Sequence, residues 1–204
     1  MLSRRQFLLA STLAVAMATA SALPAQTAPA PDQFIRELGG ELLSLLSRKE
    51  IGAAEREAEF RRLFVKGADV DLLARFALGR YWREASEAER REYRELFESF
   101  VVKSYAQRLA GYSGETFTIQ DTRAIDERDT LVNTHIERPG GQPPLRVDWR
   151  LRRTGQELRV IDMMVEGISM AVTQREEFTS VIHRNGGKVS ELNNLLRERI
   201  AALN

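Results

Sequence analysis

The segment Thr116–Ser169 decides the fold. It reads TFTIQDTRAID (116–126), DTLVNTHIER (129–138), PLRVDWRLRR (144–153) and ELRVIDMMVEGIS (157–169), four β-favouring runs parted by polar residues or Gly/Pro punctuation. In the third run Leu145, Val147, Trp149 and Leu151 point one way, and Arg146, Asp148, Arg150 and Arg152 point the other. One face is therefore expected to be covered. The connections are Glu127-Arg128, Pro139-Gly140-Gly141-Gln142-Pro143 and Thr154-Gly155-Gln156. Links this short hold no crossover helix, so the spacing predicts a four-stranded antiparallel meander with one apolar wall.

Working outward, both flanks read as helical. Asp32 caps a helix with Phe34, Ile35, Leu38, Leu42, Leu45 and Leu46 at three- and four-residue spacing, weakened in its middle by Gly39 and Gly40. A second helix over Ala53 to Val65 gathers Phe60, Leu63 and Phe64 on one side, and a third runs from Asp69 to about Trp82. Ser86 and Glu89 form a capping box for the longest helix, whose stripe of Tyr93, Leu96, Phe97, Phe100, Val101, Tyr105, Leu109 and Tyr112 is expected to face the sheet. After the meander, Ser169 to Asn185 is helical, and Ser190 caps a last helix. The predicted class is α+β, a four-stranded meander with helices packed over one face.

The N-terminus is a targeting segment. Met1 to Arg5 is basic, Phe7 to Ala22 is apolar, and small residues up to Ala25 offer a cleavage point. The apolar run of about 16 residues falls short of the roughly 20 that span a bilayer. Ser3-Arg4-Arg5-Gln6-Phe7-Leu8 fits the twin-arginine export pattern. We therefore expect a cleaved signal over 1–25, a flexible leader over 26–31, and one domain over 32–204. Loss of Arg4 and Arg5 with the signal leaves 28 basic residues against 29 acidic ones, and so no electrostatic case for nucleic acid. The chain has no cysteine, which excludes both a disulfide framework and a thiolate nucleophile.

Chemistry-bearing patterns are scarce. His135 and His183 sit in different elements without carboxylates at ligand spacing, so no metal site is expected. The chain contains no G-x-S-x-G, no P-loop and no G-x-G-x-x-G. Asp148 and Asp162 would face each other across a three-residue turn at 154–156, and a two-residue turn would shift that register by one. Such a carboxylate pair, or His135, would suit a cone-shaped α+β isomerase or dehydratase acting on a small apolar substrate. The plainer reading is a solvated face on which Asp148 pairs with the neighbouring arginines. An interaction domain with a filled core is a further alternative. Aromatic helices over the wall of Ile119, Val132, Leu145, Val147 and Trp149 either close completely or leave a cavity, and the residues alone leave both open.

A family resemblance bears on that choice. Leu78-Gly79-Arg80-Tyr81-Trp82-Arg83, Ala85-Ser86, Glu89-Arg90, Tyr93, Tyr105-Ala106, Pro143 to Trp149, Val160 to Ser169 and Arg175-Glu176-Glu177-Phe178 together resemble the MlaC, or toluene-tolerance, family of periplasmic phospholipid-binding proteins. Leu158 departs from the tryptophan often found there. The resemblance implies a periplasmic carrier without catalytic activity or cofactor, with phospholipid as cargo. It would work between an outer-membrane lipoprotein complex and an inner-membrane ABC transporter complex, and the acyl chains would enter a cavity between sheet and helices. On that footing Phe76, Tyr81, Phe97, Phe100, Tyr105, Leu145, Val147, Trp149 and Ile168 are expected to line the cavity, with Ile168 at its mouth. Arg80 and Arg146 are headgroup candidates because they flank wall residues, and a monomer is expected.

Overall fold

The computed structural model describes residues 29–109 and 111–203. The expected export signal, and the expected leader up to residue 28, lie outside the described residues. The sheet contains β1 (Thr116–Ala124), β2 (Asp129–Glu137), β3 (Leu145–Thr154), β4 (Glu157–Val165) and β5 (Ile168–Ser169), all antiparallel and in sequential order. The class is α+β as expected, but the sheet has five strands rather than four. Glu166 (φ 50°) and Gly167 (φ 80°) fold the last run back on itself, so Ile168 and Ser169 pair with Val165 and Met164. A short apolar run interrupted by one glycine hides such a turn.

Among the described residues seven α-helices flank the sheet: α1 (Pro31–Ser47), α2 (Ala53–Gly67), α3 (Val70–Leu78), α4 (Tyr81–Glu84), α5 (Glu87–Leu109), α6 (Met170–Arg184) and α7 (Val189–Ala202). α1 starts at Pro31, with proline in its usual first-turn place and no side-chain cap from Asp32. The expected third helix is two. Gly79, at φ 59° and ψ −133°, breaks it, since only glycine adopts that conformation without strain. The Ser86–Glu89 capping box forms as read: the Glu89 carboxylate accepts from the Ser86 N–H at 2.9 Å, and the Ser86 hydroxyl accepts from the Glu89 N–H at 3.2 Å. α5 ends at Leu109, short of Tyr112, and the residue flanking the start of α7 is Lys188 rather than Ser190.

The apolar residues make two cores. One is helical: Tyr93 and Phe97 of α5 meet Phe178 of α6 with ring centroids 6.2 and 6.4 Å apart, and Leu192 and Leu196 of α7 are fully buried against them. Tyr93, Phe97 and Phe100 of the α5 stripe therefore pack on α6 rather than on the sheet. The other core lies between α1 and the sheet, where Ile35 packs with Val132, Leu151, Leu158 and Val160. Val70 and Leu73 of α3 touch both. The join between α2 and α3 is fixed to the sheet by an Ala68–Val160 bridge, in which the Asp69 N–H donates to the Val160 carbonyl at 3.0 Å. Among the described residues no helix is long and apolar enough to cross a membrane.

The far face of the sheet is polar and charge-paired. Arg150 and Arg152 both donate to Asp129, at 2.6 and 2.7 Å, and Asp129 is 1% exposed. Arg146 and Asn133 donate to the buried Asp148 at 2.8 and 2.6 Å.

Candidate functional site

A pocket of about 190 Å³ lies where the two cores fail to merge. α1 contributes Leu38 and Leu42, and α2 contributes Phe60, Leu63 and Phe64. Ala77 of α3 and Phe97, Val101 and Tyr105 of α5 close the helical side. The sheet side is Trp149 with Val160 and Met163, and Met170 and Ala171 of α6 complete the wall. An Ile161 bulge, with Leu151 opposite Val160 and Arg150 opposite Asp162, breaks the alternation of β4 beside this wall. A smaller chamber of about 70 Å³ lies beneath α1, against β1 and β2. Its volume is too small for a bulky ligand.

Polar groups are few and mostly engaged. Both Asp162 oxygens are occupied: Oδ2 accepts from the Ser169 hydroxyl at 2.6 Å, and Oδ1 from the Met163 and Ala171 N–H groups at 2.8 and 3.1 Å. This carboxylate thus fixes the start of α6 to the sheet. Burial pushes the Tyr105 hydroxyl above its ordinary pKa, with Arg108 opposing and the Asp162 charge reinforcing the shift, so it stays neutral. Gln174 is the other polar lining residue. A cavity so poor in hydrogen-bonding partners suits hydrocarbon better than water.

The expected lining residues divide. Phe97, Tyr105 and Trp149 line the pocket. Tyr81 is 3% exposed inside the helical core, and Phe100 packs at 6.1 Å on Phe178 in that same core. Phe76 sits under the Arg175 guanidinium at 5.1 Å. Val147 is buried in the sheet, Leu145 is half-buried at the start of β3, and Ile168 is 61% exposed. Arg80 lies over its neighbour Tyr81, 4.9 Å from the ring centroid, and Arg146 is committed to Asp148. The walls from α1, α2 and α6 were not expected. Phe60, Leu63 and Phe64 do share one side of α2 by spacing, but spacing does not say what that side meets.

Asp148 and Asp162 do not face each other. The turn is two residues long, with Thr154 opposite Glu157, and Asp148 faces Met164 while Asp162 faces Arg150. Burial pushes the Asp148 carboxyl up, but hydrogen bonds from Arg146 and Asn133 outweigh it and hold the group below its usual range. No group of His, Cys, Asp and Glu among the described residues is arranged to hold a metal ion.

A family model for the MlaC protein matches residues 37–198. The chain belongs to the MlaC family. Among MlaC relatives, the intermembrane phospholipid transport system binding protein of Haemophilus influenzae is 23% identical over 112 residues, 53% of this chain and 52% of its own length. The toluene tolerance protein ttg2D of Pseudomonas putida is also 23% identical over 112 residues, 55% of this chain and 52% of its own. The chain thus spans about half the length of the curated relatives it matches. In three dimensions it resembles a phospholipid-binding protein from Ralstonia solanacearum, solved in complex with a phospholipid. The TM-score is 0.73 at 24% identity, covering 84% of this chain and 97% of the other. At that identity the likeness establishes a shared fold.

Proposed function

We propose that this MlaC-family chain is a periplasmic phospholipid carrier. It holds acyl chains in the pocket between its two cores, leaves the headgroup near solvent, and exchanges lipid with an outer-membrane lipoprotein complex and an inner-membrane ABC transporter complex. Residues 1–25 direct it there as a twin-arginine signal, and the exported chain acts as a monomer. The observation that carries the reading is the pocket itself: an almost wholly apolar space between sheet and helices, in a chain that shares its fold with a phospholipid-binding protein solved with a phospholipid. Each methylene moved through water costs about 0.8 kcal/mol, so a diacyl lipid crosses an aqueous space only inside such a sleeve. No reaction is required. The engagement of Asp148 by Arg146, and of Asp162 by Ser169 and backbone donors, supports carriage without catalysis.

Phe97, Tyr105 and Trp149 contact the acyl chains in this account, joined by Leu38, Phe64 and Met163. The chains enter at the α6 end. There Ile168 and Val172, 61% and 42% exposed, flank the lining residues Met170 and Ala171 in sequence. At about 190 Å³ the pocket is smaller than the roughly 300–1,000 Å³ of ligand pockets, so loading separates the two cores, each of which keeps its own packing.

Delipidated protein incubated with vesicles of fluorescently labelled phosphatidylglycerol, then separated by gel filtration, tests this. Label should co-elute with the protein, and Met163→Glu, which places a charge against the chains, should lose it while retaining its circular dichroism. Label that stays with the vesicles in the presence of folded wild-type protein would overturn the proposal.

A further inference from the structure

Three side chains line both chambers: Leu38 and Leu42 of α1 and Trp149 of β3. They form a septum between the main pocket and the smaller space beneath α1. Each side of the septum is anchored. Leu38 rests on Gly67, where an added Cβ would come within 2.7 Å of it, so the bare backbone of α2 makes room for this leucine. The Trp149 indole N–H donates to the Thr134 hydroxyl at 3.0 Å, and that hydroxyl donates to the Val147 carbonyl at 2.7 Å. Thr134 has no solvent exposure. Behind the septum lie Gly39 and Leu43 of α1, Phe117 of β1 and Ile136 of β2. The Thr134 hydroxyl is already satisfied, so a water in this chamber would lack the two to four partners it needs.

We infer that the two chambers are one interrupted acyl channel, in which a long chain turns the Trp149 indole away from Thr134 and runs on beneath α1. The smaller chamber is then a subsite for the distal methylenes of an acyl chain, and the septum sets how chain length is read. The inference rests on the carrier reading, because the chain that reaches the septum must first occupy the main pocket. The septum is the natural point of passage: Leu38, Leu42 and Trp149 alone face both spaces, and displacing the indole costs a hydrogen bond while leaving the backbone in place. α1 comes close to the sheet here, since Gly39, with no side chain, lets the Phe117 ring pack against the helix backbone and wall the chamber.

The chain has two tryptophans, so Trp82→Phe leaves Trp149 as the sole reporter. In that background, binding of diacyl phosphatidylglycerols from octanoyl to stearoyl is measured, together with quenching of Trp149 by long chains brominated at their terminal carbons. Affinity should rise about fourfold per methylene on each chain that becomes buried, continue to rise past the septum, and be accompanied by terminal-bromine quenching. Ile136→Phe, which fills the smaller chamber, should leave short chains unaffected and cut the preference for stearoyl over octanoyl at least tenfold. Leu43→Phe fills the same space from α1 and replaces it if Ile136→Phe does not fold. Thr134→Val, which removes the acceptor of the indole N–H, should speed entry of long chains. An unchanged chain-length dependence in the filled variants, without quenching of Trp149, overturns the inference alone. Absence of binding at every chain length overturns the carrier reading as well.

Discussion

Asp129 shows how far a single side chain shapes this sheet. The Arg152 hydrogen bond holds its carboxyl below the usual range against the cost of burial, and Arg150 adds to the effect. Because the folded pKa is depressed, the stabilisation is present in full above the unfolded value of about 3.9 and is lost as pH falls through the folded value. Urea unfolding at neutral and strongly acidic pH should show that loss, and Asp129→Asn should reduce it. At neutral pH the same substitution should destabilise by about 3 kcal/mol, the lower end for a broken buried pair because the arginines keep some solvent contact. Gly79 is a second controlling residue: alanine there would strain the backbone and bring its Cβ within 3.2 Å of Arg175 and Thr179. Thermal or urea unfolding of Gly79→Ala should show a loss of about 1–3 kcal/mol. The alternation of Asp148 with arginines made the charged face legible in the sequence. Asp129 was not legible, since it stands at a strand boundary and its partners come from another strand.

Periodicity located the secondary elements more surely than it located their partners. The capping box before α5 was readable from Ser86 and Glu89 alone, and Ser86→Ala should cost about 1 kcal/mol in urea unfolding. The stripe of Tyr93, Phe97 and Phe100 was also readable, but a stripe says only that one side of a helix is covered. The covering element is Phe178 with α7 behind it, and the sheet takes α1 instead. The site was harder still, because its walls come from seven helices and strands, and α1, α2 and α6 offer no distinctive residue type. Trp149 was recognisable because its strand alternates cleanly. Asp162 links β4 to α6 through Ser169 and the Ala171 N–H. Asp162→Ala should therefore accelerate hydrogen exchange at Ala171 and Val172, leaving the N–H groups of the helical core as protected as before.

The molecule as a whole consists of two packed cores with an apolar gap between them. A single merged core would bury more surface and bind nothing. Family membership was legible from the order of its motifs, from Leu78-Gly79-Arg80-Tyr81-Trp82 to Arg175-Glu176-Glu177-Phe178. The division of the interior was not, since it depends on which helix meets which at long range. The central claim is that the gap carries phospholipid. Native mass spectrometry of the full-length wild-type protein, purified without detergent, tests this most directly. The account predicts a mass in excess of the polypeptide that collisional activation releases as intact phospholipid. A folded protein at bare polypeptide mass, with no lipid released, would contradict it.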